Sequence, residues 1–164
     1  MRYFITFTCY GARLHGDESG SVDRDHNLPG SPVLDSDPHR ASSERQKMLQ
    51  PPYLLDRGAQ AAVLSALRQH CLYRGWSLLA AHVRTNHVHV IVEADVLPEK
   101  VMNEFKSYAS RELNRLNPDG PDRKRWARHG STRWLWTDEQ VQQALQYVVD
   151  EQGEPMALFI AENL

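Results

Sequence analysis

An α+β sandwich, a largely antiparallel sheet with helices packed on it, is the fold that this 164-residue sequence predicts. Three observations carry it. Short runs rich in β-branched and aromatic residues alternate with longer segments whose apolar residues recur at helical spacing. Two strand runs follow one another across a very short connection, which only an antiparallel pair permits. The remaining strands are joined through helices, so the sheet is covered by them, in a ferredoxin-like arrangement.

The elements follow in order. Residues 3–10 are aromatic and β-branched and read as the first strand. From 11 to 52 the composition turns to Gly, Pro, Asp, Ser, Arg and His, a polar loop insertion too long for a plain connection. Asp56 offers an N-cap to a helix over 59–73, where Ala62, Val63, Ala66, Leu67, His70 and Cys71 share a face and Gly75 stops the run. Residues 76–83 and 87–93 are two strands joined by a hairpin-like connection in which Asn86 can take positive φ. Pro98 opens a second helix that carries Val101, Phe105, Tyr108, Leu113 and Leu116 and ends at Asn117-Pro118-Asp119-Gly120. Residues 132–136 form a short strand. A last helix starts from a cap at Thr137 or Asp138 and runs through Val141, Ala144, Leu145, Val148 and Val149 to Gly153 and Pro155. The whole, 1–164, is expected to be one domain.

A net charge of -2 with 24% charged residues fits an ordinary globular protein and names no partner. Cys9 and Cys71 lack metal-site or disulfide spacing and read as small buried apolar groups in a reducing compartment. The N-terminus has no signal-peptide pattern and no run is long enough to span a bilayer, so a cytoplasmic protein away from the membrane is expected.

The chemistry concentrates in Asn86-His87-Val88-His89-Val90-Ile91-Val92. Alternation along a strand puts His87 and His89 on one face, close enough to share a metal ion. In the last helix Tyr147 is followed by Glu151 four residues later and Gln152 five later. The i+4 spacing favours Glu151 as an oxygen ligand beside the phenol. Two imidazoles and one oxygen leave open positions on Mg²⁺ or Mn²⁺, which would polarise a phosphate for attack by the phenol. Tyr108, with Glu112 at i+4, is a rival that spacing alone does not reject. Between 106 and 133, eight basic side chains face three acidic ones, a net +5. Lys106, Arg111, Arg115, Lys124 and Arg125 are the expected nucleic-acid contacts, with Trp126, Trp134 and Trp136 available to stack on unpaired bases. His82 reads as a structural or supporting residue, Arg84 and Asn86 flank the pair, and His15, His26 and His39 lie in the polar loop without ligand spacing.

Taken together, residues 4–8, 81–92, 105–113, Trp134-Leu135-Trp136 and 147–152 resemble the single-tyrosine HUH transposases of insertion sequences and their repeat-associated relatives, HUH standing for His, hydrophobic, His. The resemblance implies a metal-dependent nuclease and strand transferase acting on single-stranded or hairpin DNA, working as a homodimer. His87 and His89 would hold the metal and Tyr147, rather than Tyr108, would form a 5′-phosphotyrosine link and free a 3′-hydroxyl. The family's third ligand is an amide four residues after the tyrosine, a position that Glu151 fills here. Two other readings stand beside this one: a domesticated protein that grips structured DNA without cutting, and a metal-dependent phosphodiesterase that uses water.

Overall fold

The computed structural model describes residues 1–12, 49–116 and 122–164. Most of the polar insertion, its three histidines and the turn after the second helix lie outside the described residues. Eight elements follow: β1 (Arg2–Thr8), α1 (Arg57–Arg74), β2 (Ser77–Val83), β3 (His87–Glu93), α2 (Pro98–Leu116), β4 (Ser131–Leu135), α3 (Asp138–Asp150) and β5 (Ala157–Ile160). They build one five-stranded antiparallel sheet in the order β4-β1-β3-β2-β5. The first six elements, β-α-β-β-α-β, are those of the ferredoxin-like arrangement.

Period-two alternation divides the sheet into two faces. Tyr3, Ile5 and Phe7 of β1 and Val88, Val90 and Val92 of β3 pack under α1 and α2. Phe4, Ile91 and Ala80 face the other way, against Val141, Ala144, Leu145 and Val148 of α3. Each fully buried side chain of this size contributes about 1.5–3 kcal/mol. A one-residue slip in β3 would take three valines out of the α1–α2 core and drive His87 and His89 into it, which holds the register that places the histidines.

The caps follow the sequence. The Asp56 carboxylate accepts from Ala59 N–H, Gly75 closes α1 at φ 71°, and Thr137 with Gln140 forms a capping box on α3. Both cysteines are buried, and desolvation pushes their thiols up to about 12.

Two expectations are corrected. The four-residue edge strand β5 was not foreseen; it pairs with β2 over 80–83 and is too short to show a periodicity of its own. Asn86 does not take positive φ, the one such non-glycine among the described residues being His129. The turn is held from outside instead: Cys9 N–H donates to Asn86 O at 2.8 Å and Leu55 N–H to Thr85 O at 2.7 Å.

Candidate active site

The strand register assembles the site. Across the α3 face of the sheet, Ser131, Thr6, His89, His82 and Leu158 form one row, because Thr6 pairs with both Ser131 and His89, and His82 with both His89 and Leu158. His87, two residues before His89, lies opposite Thr8 on the same face. The imidazole rings of His87 and His89 stand 4.8 Å apart, centre to centre.

Each ring has a partner at Nδ1. His87 Nδ1 lies 2.7 Å from Asn86 Oδ1 and His89 Nδ1 lies 2.8 Å from Thr6 Oγ1. A proton on Nδ1 satisfies both partners and leaves each Nε2 with its lone pair, the tautomer that metal-binding histidines adopt when the other nitrogen is held. Both Nε2 atoms then face one oxygen. Gln152 Oε1 is 3.4 Å from His87 Nε2 and 3.1 Å from His89 Nε2.

The oxygen that faces the pair is thus that of Gln152, where the spacing had favoured Glu151. Helical spacing favours i+4, but α3 ends at Asp150 and Glu151 is its C-cap, at φ -106° and ψ 14°. Beyond that point the helical rotation no longer applies, and the chain brings the next side chain back. The Gln152 amide uses both ends: Nε2 donates to Tyr147 O at 3.3 Å while Oε1 faces the histidines. A carboxylate could not donate to Tyr147 O. Glu151 itself is exposed, and its side chain makes no hydrogen bond or ion pair among the described residues.

The donor set suits a small divalent cation. An octahedral ion held at about 2.1 Å spaces neighbouring ligands by about 3 Å, close to the 3.1 and 3.4 Å found here. Among the described residues no group of three or more His, Cys, Asp or Glu could hold a metal. The oxygen facing both imidazoles belongs to an amide instead.

Tyr147 stands beside these donors. Its ring meets His89 edge-on at 5.5 Å and Phe4 at 5.8 Å, and it is 39% exposed. Val148, the next residue, is fully buried and fixes which face of α3 turns to the sheet. Tyr108 belongs to the other face, on α2, where it stacks on His70 at 4.1 Å with Arg111 over its ring at 4.6 Å. The sheet separates it from the histidine pair.

His82 is fully buried. Its Nδ1 lies 3.0 Å from Val148 O, and its Nε2 receives Met156 N–H at 3.0 Å and the Arg84 guanidinium at 3.3 Å. Desolvation lowers its pKa below the ordinary histidine value, so the ring is neutral.

The basic residues do not form one strip. Arg125 is buried; it donates to Asn114 Oδ1 at 2.6 Å and to Tyr53 OH at 3.2 Å, inside the protein rather than on its surface. Lys106 is half-buried and spends its ammonium on Ala127 O at 3.1 Å and His129 O at 2.5 Å. Desolvation brings its pKa down to about 8. Arg111, Arg115 and Lys124 are exposed, Arg115 being paired with Glu112 at 2.8 Å. Arg111 and Arg115 lie on α2, across the sheet from the histidines. Lys124 is nearer: Arg125 O accepts from Tyr10 N–H, just past the end of β1 that faces His87. Trp126 is tied to Lys106 O and Ser110 Oγ, whereas Trp136 is 69% exposed and stacks on Trp134 at 5.0 Å. Thr6 was not singled out from the sequence, since only the strand register reveals a threonine opposite His89.

The sequence model of the family described as "Transposase IS200 like" matches residues 44–151, more than half of the chain. The chain belongs to the IS200-like transposase family. That is the single-tyrosine group its histidine pair and late tyrosine resemble. The matched region stops one residue short of Gln152. No curated protein matches the chain. Among solved structures it is similar to a REP-associated tyrosine transposase bound to a REP hairpin, at 12% identity and a TM-score of 0.48, over 90% of this chain. The chain spans 63% of the length of that protein. A second, described as a candidate transposase from Deinococcus radiodurans R1, is 13% identical with a TM-score of 0.48, over 90% of this chain and 88% of its own. No helix among the described residues is long and apolar enough to cross a membrane.

Proposed function

We propose that this IS200-like transposase nicks and rejoins single-stranded or hairpin DNA through Tyr147, with Mg²⁺ or Mn²⁺ held by His87, His89 and Gln152. One observation carries the reading: both imidazole Nε2 atoms converge on Gln152 Oε1 while the Tyr147 ring lies against His89. A divalent ion there would supply Lewis-acid polarisation of the scissile phosphate. The Tyr147 phenol attacks the phosphorus, the 3′-oxygen leaves, and the DNA remains joined to the tyrosine through a 5′-phosphotyrosine ester. Attack by another 3′-hydroxyl reverses the step, releasing the phenol and joining strands with no external energy source. Asn86 and Thr6 hold the imidazoles in the tautomer that turns both Nε2 lone pairs toward the ion.

Exposed Arg111, Arg115 and Lys124 are the residues left to meet phosphates, since Lys106 and Arg125 are committed inside the protein. The reading carries with it one domain over 1–164, a homodimer and a cytoplasmic location. A non-cutting DNA binder drew its support from a modest pI of about 6.4 and from the absence of an amide four residues after the tyrosine. Gln152 offers that amide from one residue further on.

The test is a denaturing-gel assay with single-stranded hairpin DNA and Mn²⁺. A covalent protein–DNA adduct is expected, and it should vanish in Tyr147→Phe while that variant keeps its melting temperature. Cleavage that survives in Tyr147→Phe refutes the nucleophile and favours water as attacking group.

A further inference from the structure

We infer that His82 and Arg84 are positioning residues that hold the 151–156 turn, and through it Gln152 Oε1, over the histidine pair; the inference rests on the metal-site reading above. The argument starts at the end of α3. The last carbonyls of a helix have no partner within it. At α3 two of the last four are met by side chains with other duties: Tyr147 O, which also accepts the Glu151 N–H, receives Gln152 Nε2 at 3.3 Å, and Val148 O faces His82 Nδ1 at 3.0 Å. The chain then leaves the helix through Gly153, at φ 77°, and returns to the sheet as β5.

What fixes the return is again His82. Its neutral ring has one donor and one acceptor, and both are spent on this segment: Nδ1–H on Val148 O, and the Nε2 lone pair on Met156 N–H at 3.0 Å. Arg84 adds a second tie. Its guanidinium donates to Glu154 O at 2.8 Å and to His82 Nε2 at 3.3 Å. One buried ring on β2 thus grips the residue after Tyr147 and the fourth residue after Gln152. A turn pinned at both ends has little freedom to carry its amide away from the two imidazoles. The side chain next to His89 in the register would act on the ion without touching it.

The experiment measures Mn²⁺ binding to the DNA-free full chain by isothermal titration calorimetry, with thermal stability in EDTA read by circular dichroism. Supporting residues around metal ligands change affinity by about 10–100-fold. His82→Leu and Arg84→Met are expected to weaken Mn²⁺ by about tenfold or more, and His82→Gln, which restores a donor and an acceptor, to recover part of the loss. Amide exchange at Met156 should quicken in both weakened variants. Should His82→Leu fail to fold, Arg84→Met decides, because it cuts the Glu154 tie without emptying a buried site. A loss under tenfold in the folded variants overturns the inference, even where their melting temperatures fall. Gln152→Ala separates the two levels: if it binds Mn²⁺ like the unaltered chain, the metal site is misassigned and the inference falls with it; if it binds weakly while the His82 and Arg84 variants do not, only the inference falls.

Discussion

Exchanging the two candidate oxygen donors tests the site most directly. In Gln152→Ala the histidine pair keeps its Nδ1 partners, Asn86 Oδ1 at 2.7 Å and Thr6 Oγ1 at 2.8 Å, but loses the oxygen that both Nε2 atoms face. Loss of a partner outside the coordination shell already costs about 10–100-fold in metal affinity, so loss of one of three ligands is set at about 100-fold, ~2.7 kcal/mol. Glu151→Ala removes an exposed side chain with no contact among the described residues, and its effect should stay below about twofold, ~0.4 kcal/mol. The informative variant combines Glu151→Gln with Gln152→Ala, which restores an amide at the i+4 spacing. On an uninterrupted helix it would lie only about 40° from Tyr147 and would rescue binding. Because Glu151 leaves the helix as its C-cap, no rescue is expected. Calorimetry with Mn²⁺ on DNA-free protein reads all three. Recovery in the double variant, or a Glu151→Ala loss equal to that of Gln152→Ala, refutes the placement.

Arg125→Met should reduce unfolding stability by about 1.5–3 kcal/mol in urea titrations, since it removes charged hydrogen bonds to Asn114 and Tyr53 from a buried site; unchanged stability with weaker DNA binding would restore it as a contact. Gly130→Ala places a Cβ 2.6 Å from both Met102 Sδ and Thr6 O, and should cost about 1–3 kcal/mol because the β1 backbone cannot give way cheaply; a variant as stable as the parent contradicts this. Lys106, held down to about 8 in the fold against 10.5 when free, binds fewer protons folded than unfolded between those values. Stability should therefore rise from pH 8 to 10.5 and fall again as pH returns through 8, with a shallower slope in Lys106→Met; equal slopes for the two proteins refute the assignment.

Local signals carried most of this fold into the sequence. Asp56, Gly75 and Thr137 act within one helical turn of themselves, and the valines of β3 alternate with His87 and His89 whatever the neighbouring strands do. The shared strand face of the histidine pair, and a late tyrosine on a helix of its own, were legible for that reason. So was membership of the transposase family, because the motifs recur in fixed order.

Which oxygen faces the histidine pair was not legible. Helical spacing pointed to Glu151, but α3 ends at Asp150, where Tyr147 O is taken locally by Glu151 N–H and the Gln152 amide and Val148 O faces His82, which the tertiary fold brings from β2. The basic run misled for a similar reason: charge counts do not reveal that Arg125 turns inward to Asn114 and Tyr53, or that Lys106 spends its ammonium on backbone carbonyls. Nor could spacing reject Tyr108, which the sheet itself sets apart from the histidines. By itself the sequence determined every element but β5, the helix caps and the shared face of the two imidazoles, all consequences of interactions within a few residues. Only the tertiary structure decided which oxygen faces them, which tyrosine stands beside them and which cations reach the surface, because each depends on strand register and on how the elements pack.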